Sequence, residues 1–221
     1  MDAQPEDLPV NPPTPSRAAR ARPRGRGYAS GDARRTRILN IALQEFAENG
    51  YRGTSLARIA ERAELTQAGL LHHFRSKQEL LMAVLDLRDR MDMEHLDVGV
   101  LPLGGEAALG KLAELAEHNR NIPGLVQLFT VLTGEAVTTD HPAHDWAQDR
   151  YAVLRSSITA SLEAGRASGE LRADVDPPAV AAQVFAMMDG LQLQWLLDPE
   201  RVDMATLFRD YVEHLLRRIR A

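Results

Sequence analysis

Residues Thr54–Glu79 read TSLARIAERAELTQAGLLHHFRSKQE. Thr54 or Ser55 can cap a helix whose apolar positions Leu56, Ile59, Ala60 and Ala63 share one face. Only Glu64 and Leu65 separate it from a second short helix, which starts at Thr66 and turns Leu70 and Phe74 toward the same side. Two short helices joined so tightly cannot lie antiparallel; they must cross steeply, which is a helix-turn-helix. Ser76–Glu79, reading SKQE, follows as a capping box in which hydroxyl and carboxylate satisfy each other's exposed amides.

Upstream, Ile38, Leu39, Ile41, Ala42, Leu43 and Phe46 form the apolar face of a covering helix. Asp32 is its expected N-cap, and Asn49-Gly50 its C-cap, because glycine enters the left-handed conformation without a Cβ penalty. Downstream, Leu80, Leu81, Val84, Leu85 and Met91 extend a helix to about Asp97, a rod of roughly 30 Å. The segment Gly99–Gly105, with Pro102, closes it. Five more helical patterns follow, at about 106–120, 125–138, 142–168, 177–197 and 204–220. Pro123-Gly124, Pro142, Gly169, Asp176-Pro177 and Asp198-Pro199 punctuate them. The expected fold is all-α with about nine helices: a three-helix helix-turn-helix domain, then a larger helical body. No strand pattern and no internal repeat is present.

Composition agrees. The chain has 221 residues, 44% hydrophobic but only 5% aromatic, and alanine-rich helix formers dominate. The absence of cysteine excludes disulfides and thiolate metal sites and suits a cytoplasmic protein. No apolar run approaches the roughly 18 residues of a membrane span. Asp2, Glu6 and Asp7 with no apolar segment behind them argue against a secretory signal. The net charge of −5 hides an asymmetry, because residues 17–77 hold 13 Lys/Arg against five Asp/Glu. A basic N-terminal block on an acidic body fits a phosphate-binding module joined to something else, or a basic tail on an ordinary acidic domain. Residues 1–30 hold half of the twelve prolines and show no periodicity, so they are expected to be a disordered arm. Arg17, Arg20, Arg22, Arg24 and Arg26 in that arm can follow a DNA backbone, or simply be solvated. The expected organisation is arm 1–30, DNA-binding domain 31–76, and body 77–221.

The stretch Thr36–Leu85 resembles the N-terminal domain of TetR-family transcriptional regulators. The resemblance is carried by FAENGY at the end of the first helix, TS at the start of the second, the Ile59-Ala60 pair, and LLHHFRSK at the close. The segment Phe185–Met204, with MDGLQLQWLLDPE, is similar to the C-terminal region of a BetI-like subgroup. Two positions depart from the family: Glu64 stands where glycine is common, and Leu71 where a phosphate-contacting tyrosine is common. The resemblance implies a homodimer that binds double-stranded DNA and responds to a small molecule of unknown identity.

A recognition helix enters the major groove N-terminus first, with flanking groups on the phosphates. Thr66, Gln67 and Ala68 are therefore the candidates for base contact, and Gln67 can bond adenine in bidentate fashion. Gly69 allows close backbone approach, and Leu71 can meet a thymine methyl. Thr54 or Ser55, whose amides sit at a helix N-terminus, and His72, His73 and Lys77 are the phosphate candidates, while Arg58 and Arg62 are expected on a solvated face. His72 and His73 diverge on a helix and cannot share an ion. His141 and His144 have chelating spacing but no third ligand, so no metal, cofactor or enzymatic constellation is expected.

From the family's pocket, the resemblance implies ligand-binding candidates Leu115, His118, Phe129, Leu132, Trp146, Met187, Met188, Gln192 and Trp195, fewer than half of them touching ligand. Apolar stripes on the last two helices, paired as in the family, suggest a dimer interface of Val184, Leu191, Leu207, Phe208, Tyr211 and Leu215. The reading is a sequence-specific transcriptional regulator, a repressor released from a palindromic operator by its ligand. The alternatives are a ligand-binding helical protein that has lost specific DNA reading, or an activator of the same family.

Overall fold

The computed structural model describes residues 26–96 and 104–221. Most of the arginine arm and most of the Gly99–Gly105 segment, with Pro102, lie outside them. Among the described residues there are nine α-helices and no strand. They are α1 (Arg26–Gly53), α2 (Leu56–Arg62), α3 (Gln67–His73), α4 (Lys77–Leu96), α5 (Gly105–Arg120), α6 (Pro123–Glu135), α7 (His144–Ser168), α8 (Pro177–Leu197) and α9 (Met204–Ile219).

The caps follow local chemistry. Ser55, Thr66, Asp176 and Asp203 each accept an amide of the first turn. Gly169 ends α7 in the left-handed conformation, at φ 80°. The capping box at α4 is shifted by one residue: Ser76 Oγ accepts the Glu79 amide at 3.0 Å, but the Glu79 carboxylate takes the amide of Arg75, at 2.8 Å.

Three boundaries differ from expectation. Asp32 is not a cap, because α1 already runs from Arg26, inside the stretch expected to be disordered. Gly27 and Gly31 lower helix propensity, but adding residues to an existing helix is far cheaper than nucleating one. Pro123 opens α6 instead of breaking the chain, since a first-turn residue needs no donor. α6 then ends at Glu135 and α7 starts at His144.

Two apolar clusters hold the helices. The first joins Ile38, Ala42 and Phe46 of α1 to Ile59, Leu70 and Phe74, and continues into Leu80, Leu81, Val84 and Leu85 of α4 and Leu128 and Leu132 of α6. Half of α4 and the end of α6 thus complete the core beneath α1, α2 and α3. The second cluster packs α5, α7, α8 and α9 around Leu109, Leu112, Leu162, Val184, Phe185, Phe208 and Val212.

The turn between α2 and α3 keeps the geometry that glycine would take freely. Glu64 sits at φ 58°, in the left-handed region, and its exposed carboxylate meets Arg37 of α1 at 2.6 Å. That pairing holds its carboxyl below the usual carboxylate range.

α1 reaches α6 at a close junction. Gly50 stands at φ 67° and ψ −179°, which breaks the helical path. The next amide, that of Tyr51, donates to Glu135 Oε2 at 2.7 Å. The Tyr51 ring lies edge-on to His141, with centroids 5.3 Å apart, and carries the Lys77 ammonium 4.5 Å from its centroid. His141 is buried, accepts the Ala143 amide on Nδ1, and has Nε2 3.5 Å from Glu135.

Gly50→Ala should be costly, because its Cβ would sit against the Glu135 carboxylate on left-handed backbone. The strain of about 1–3 kcal/mol, added to a disturbed charged hydrogen bond of about 1.5–3 kcal/mol, predicts a loss of about 2.5–6 kcal/mol in urea unfolding. At Gly53 the nearest atom is Asn49 Cβ at 3.4 Å, so Gly53→Ala should be neutral or slightly stabilising. Burial, with Arg52, pushes the His141 imidazole below its usual range, against the opposite pull of Glu135 and Asp140. The unfolded chain therefore binds the extra proton first, so this stabilisation is complete above about pH 6.5 and is lost as pH falls through the folded-state value. Unfolding free energy between pH 7 and 5 should fall less steeply in His141→Gln than in the wild type.

Candidate nucleic-acid interface and sensor cavity

The recognition helix is short and held from both ends. Thr66 Oγ1 accepts the Gly69 amide at 3.1 Å, and Leu70 and Phe74 are fully buried. Burying those two turns Gln67, Ala68 and His72 to solvent, with Leu71 and His73 half-buried beside them. A Cβ on Gly69 would come no nearer than 3.3 Å, to the Thr66 hydroxyl, so the fold itself does not demand glycine there. Ser55 is exposed at the start of α2, its Oγ accepting the Arg58 amide.

Two phosphate candidates are placed otherwise. Thr54 is buried, and its hydroxyl, with one proton to donate, lies between the carbonyls of Gly50 (2.7 Å) and Glu45 (2.9 Å), tying the start of α2 to the end of α1. The side chain is therefore structural, and the phosphate reading of Thr54 or Ser55 rests on the backbone amides at the start of α2. Lys77 lies over Tyr51 at the α1–α6 junction, where burial lowers the ammonium pKa and Glu135 partly restores it. Arg58 and Arg62 are not simply solvated either. Both pair with the buried carboxylate of Glu45, at 3.1 and 2.7 Å, and lock α2 onto α1.

A cavity lies between α4, α5, α6, α7 and α8. Its walls include Leu112, Leu115, Phe129, Leu154, Phe185 and Met188, with Arg88, Asn119, Arg150, Tyr151, Asp189 and Gln192 as polar groups. The cavity is small, about 30 Å³ in volume. Any molecule much larger than water would have to spread these walls to enter. Arg88 stacks on Phe129 at 4.3 Å, and the Asp89 carboxylate meets Arg150, Arg88 and the Trp146 indole N–H. Tyr151 donates to Asp189 at 2.6 Å; burial raises the pKa of both groups. Gln192 is buried, and its Oε1 has no hydrogen-bond partner.

Four of the nine ligand candidates meet here: Leu115, Phe129, Met188 and Gln192. Leu132 is buried in the first cluster, Trp195 packs in the second, and Trp146 reaches Asp89 beside the cavity. His118 lines an open groove with Glu114 and Arg209, and Met187 lies on the outer face of α8. Sequence reading missed Arg88, Arg150, Tyr151 and Asp189. Asp189 carried a signal, as the one acid within the apolar run FAMMDGLQL.

The α8–α9 surface also needs correction. Val184, Phe208 and Leu215 are buried within the chain's own core, and Leu191 nearly so. The apolar groups left outside are Met187, Leu193, Leu197 and Leu207, with Tyr211 and Leu191 beside Met187, Gly190 and Gln194 in a shallow groove. α8 is apolar on more than one side, so spacing alone could not say which side faces inward. His141 and His144 do not converge either: His144 Nδ1 lies 2.8 Å from the Ala136 carbonyl, while His141 turns to Glu135 and Ala143. No helix among the described residues is long and apolar enough to cross a membrane.

Comparison with known proteins adds sequence relationships to this geometry. Residues 38–84 match the profile of bacterial regulatory proteins of the tetR family. Residues 115–217 match that of the BetI-type transcriptional repressor C-terminal region. The HTH-type transcriptional regulator TtgR of Pseudomonas putida is 31% identical over 186 residues, covering 77% of this chain and 83% of that protein. The structure of Salmonella enterica GusR superposes with a TM-score of 0.65 at 26% identity, covering 84% of this chain and 96% of that one. A TetR transcriptional regulator from Chloroflexus aurantiacus shares the fold with a TM-score of 0.73, at 23% identity and over 87% and 98% of the two chains.

The unpartnered amide oxygen of Gln192 yields a test that needs no ligand. An unsatisfied buried polar group costs about 1–3 kcal/mol, and an apolar side chain of similar length removes that cost. Gln192→Met should therefore raise the thermal midpoint and the unfolding free energy by about 1 kcal/mol or more; a destabilised variant would show that the oxygen is satisfied.

Proposed function

Because the chain belongs to the TetR family of bacterial regulatory proteins, and is thus a DNA-binding transcriptional regulator, we propose that it is a homodimeric repressor released from a palindromic operator by a small molecule bound in the α4–α8 cavity. The family is one of regulators, not enzymes. The observation that carries the proposal is the capped, two-sided recognition helix, with Leu70 and Phe74 buried beneath and Gln67, Ala68 and His72 exposed above. Thr66, Gln67 and Ala68 read base edges, Gly69 and Leu71 lie close to the groove, and Ser55, His72 and His73 hold phosphates. The working form acts on DNA in the cytoplasm. A single seven-residue recognition helix reads few base pairs. The exposed apolar side chains Met187, Leu193, Leu197 and Leu207 on α8 and α9 support a twofold partner, which doubles the site into half-sites about 34–36 Å apart.

Two helices connect the cavity to the reader. Arg88 and Lys77 are both on α4, about 16 Å apart along the axis, and Phe129 and Glu135 are both on α6, about 9 Å apart. A ligand that spreads Arg88 and Phe129 thus acts on the two helices whose other ends hold α1. Such coupling is typically worth about 1–3 kcal/mol. The Glu64 turn keeps its left-handed geometry, which favours retained DNA reading over its loss.

Fluorescence anisotropy with the DNA upstream of the chain's own gene tests the reading. Gln67→Ala should lose about 1–3 kcal/mol on the specific duplex and little on random DNA, whereas His73→Ala should weaken both alike. A wild-type protein with no preference over random sequence would end the regulator reading.

A further inference from the structure

The α4–α8 cavity holds a polar group that the fold leaves unused. Gln192 is only 4% exposed, and its Oε1 has no hydrogen-bond partner. It lines the cavity from α8, one turn beyond Met188 and Asp189, which face the same space. A buried acceptor without a donor costs the fold stability, and a donor brought in by a guest relieves that cost.

Charge narrows the guest further. Arg88 and Arg150 line the cavity, and both meet the Asp89 carboxylate. Asp189 lines it as well, its carboxylate accepting the Tyr151 hydroxyl at 2.6 Å. An anion would compete with Asp89 for the guanidiniums and face Asp189, while a cation would face both guanidiniums. Either would also shed its water among walls that are otherwise apolar. A neutral guest avoids both penalties. The walls then favour a ring. Phe129 has the Trp146 and Tyr151 rings 6.5 and 6.3 Å away, and Phe185 and Met188 complete the lining. Aromatic edges and faces, and methionine sulfur, pack well against another ring. The cavity is small, so a guest must part its walls, and a flat molecule parts them least for the area it buries.

Resting on the regulator reading for its biological role, we propose that this cavity takes an uncharged aromatic compound whose hydroxyl or N–H group donates to Gln192 Oε1. The ring lies among Phe129, Phe185 and Met188, and Gln192 selects among rings of equal size.

Isothermal titration of the full chain at neutral pH tests this with four probes that share one ring system: β-naphthol, naphthalene, β-naphthoate and β-naphthylmethylammonium. β-Naphthol should bind about tenfold or more tightly than naphthalene, because a site with an unpaired buried acceptor rejects the analogue that lacks the donor. The two charged probes should bind about tenfold or more weakly than β-naphthol. Gln192→Met should erase the preference for β-naphthol over naphthalene and keep binding naphthalene. Its thermal midpoint should be no lower than the wild type's, which separates lost selectivity from lost folding. A wild type that binds none of the probes would overturn the proposal and leave an ordered water as the partner of Gln192. Equal affinity for β-naphthol and naphthalene, tighter binding of a charged probe, or a preference that survives in Gln192→Met would overturn it as well. Anisotropy on the upstream and random duplexes keeps the two readings apart. Specific DNA binding without hydroxyl selectivity would end this proposal alone, whereas hydroxyl-selective binding in a chain with no DNA preference would end the regulator reading alone.

Discussion

Where α1 ends, its path is broken by a residue with no side chain, and the next amide points into the Glu135 carboxylate at the end of α6. The constraint is mutual. The amide needs an acceptor because the helix no longer supplies one, and the carboxylate occupies the space that a Cβ on Gly50 would claim. Around this pair gather Tyr51, Lys77 and His141, drawn from α1, α4 and the α6–α7 connection. The reader and the sensor thus share a polar junction set at the edge of a common apolar core. Leu128 and Leu132 continue that core directly beneath it.

Much of the reader was legible in sequence because its residues act locally. Caps such as Ser55 and Thr66, the buried spacing of Leu70 and Phe74, and the left-handed Gly50 each depend on near neighbours. What could not be read depends on partners distant in sequence. Thr54 resembles a cap until α1 is placed behind it, and Lys77 resembles a phosphate contact until Tyr51 lies beneath its ammonium. The outward face of α8 failed for a different reason. A helix apolar on several sides carries no periodic signal to say which side is inward, and only packing against α7 and α9 decides it. The cavity was half visible: its apolar walls follow from helix spacing, but the Arg88, Arg150, Tyr151 and Asp189 network joins three helices far apart in the chain.

The cavity and the junction obey different physics. In the cavity, charged groups are satisfied by one another, Arg150 with Asp89 and Tyr151 with Asp189, so opening it must reorganise a network rather than part an oily seam. At the junction the groups are few and directional, and a small displacement of α6 is felt by a single hydrogen bond.

The turn between α2 and α3 has its own dependence on the medium. Glycine would hold that turn by conformational freedom alone, which no solute alters. Here a glutamate occupies the left-handed position, and an exposed ion pair to α1 steadies it. Such pairs weaken as electrolyte shortens the range of charge. The support that the turn draws from α1 is therefore screened as ionic strength rises, a dependence on the medium that a glycine in its place would not bring.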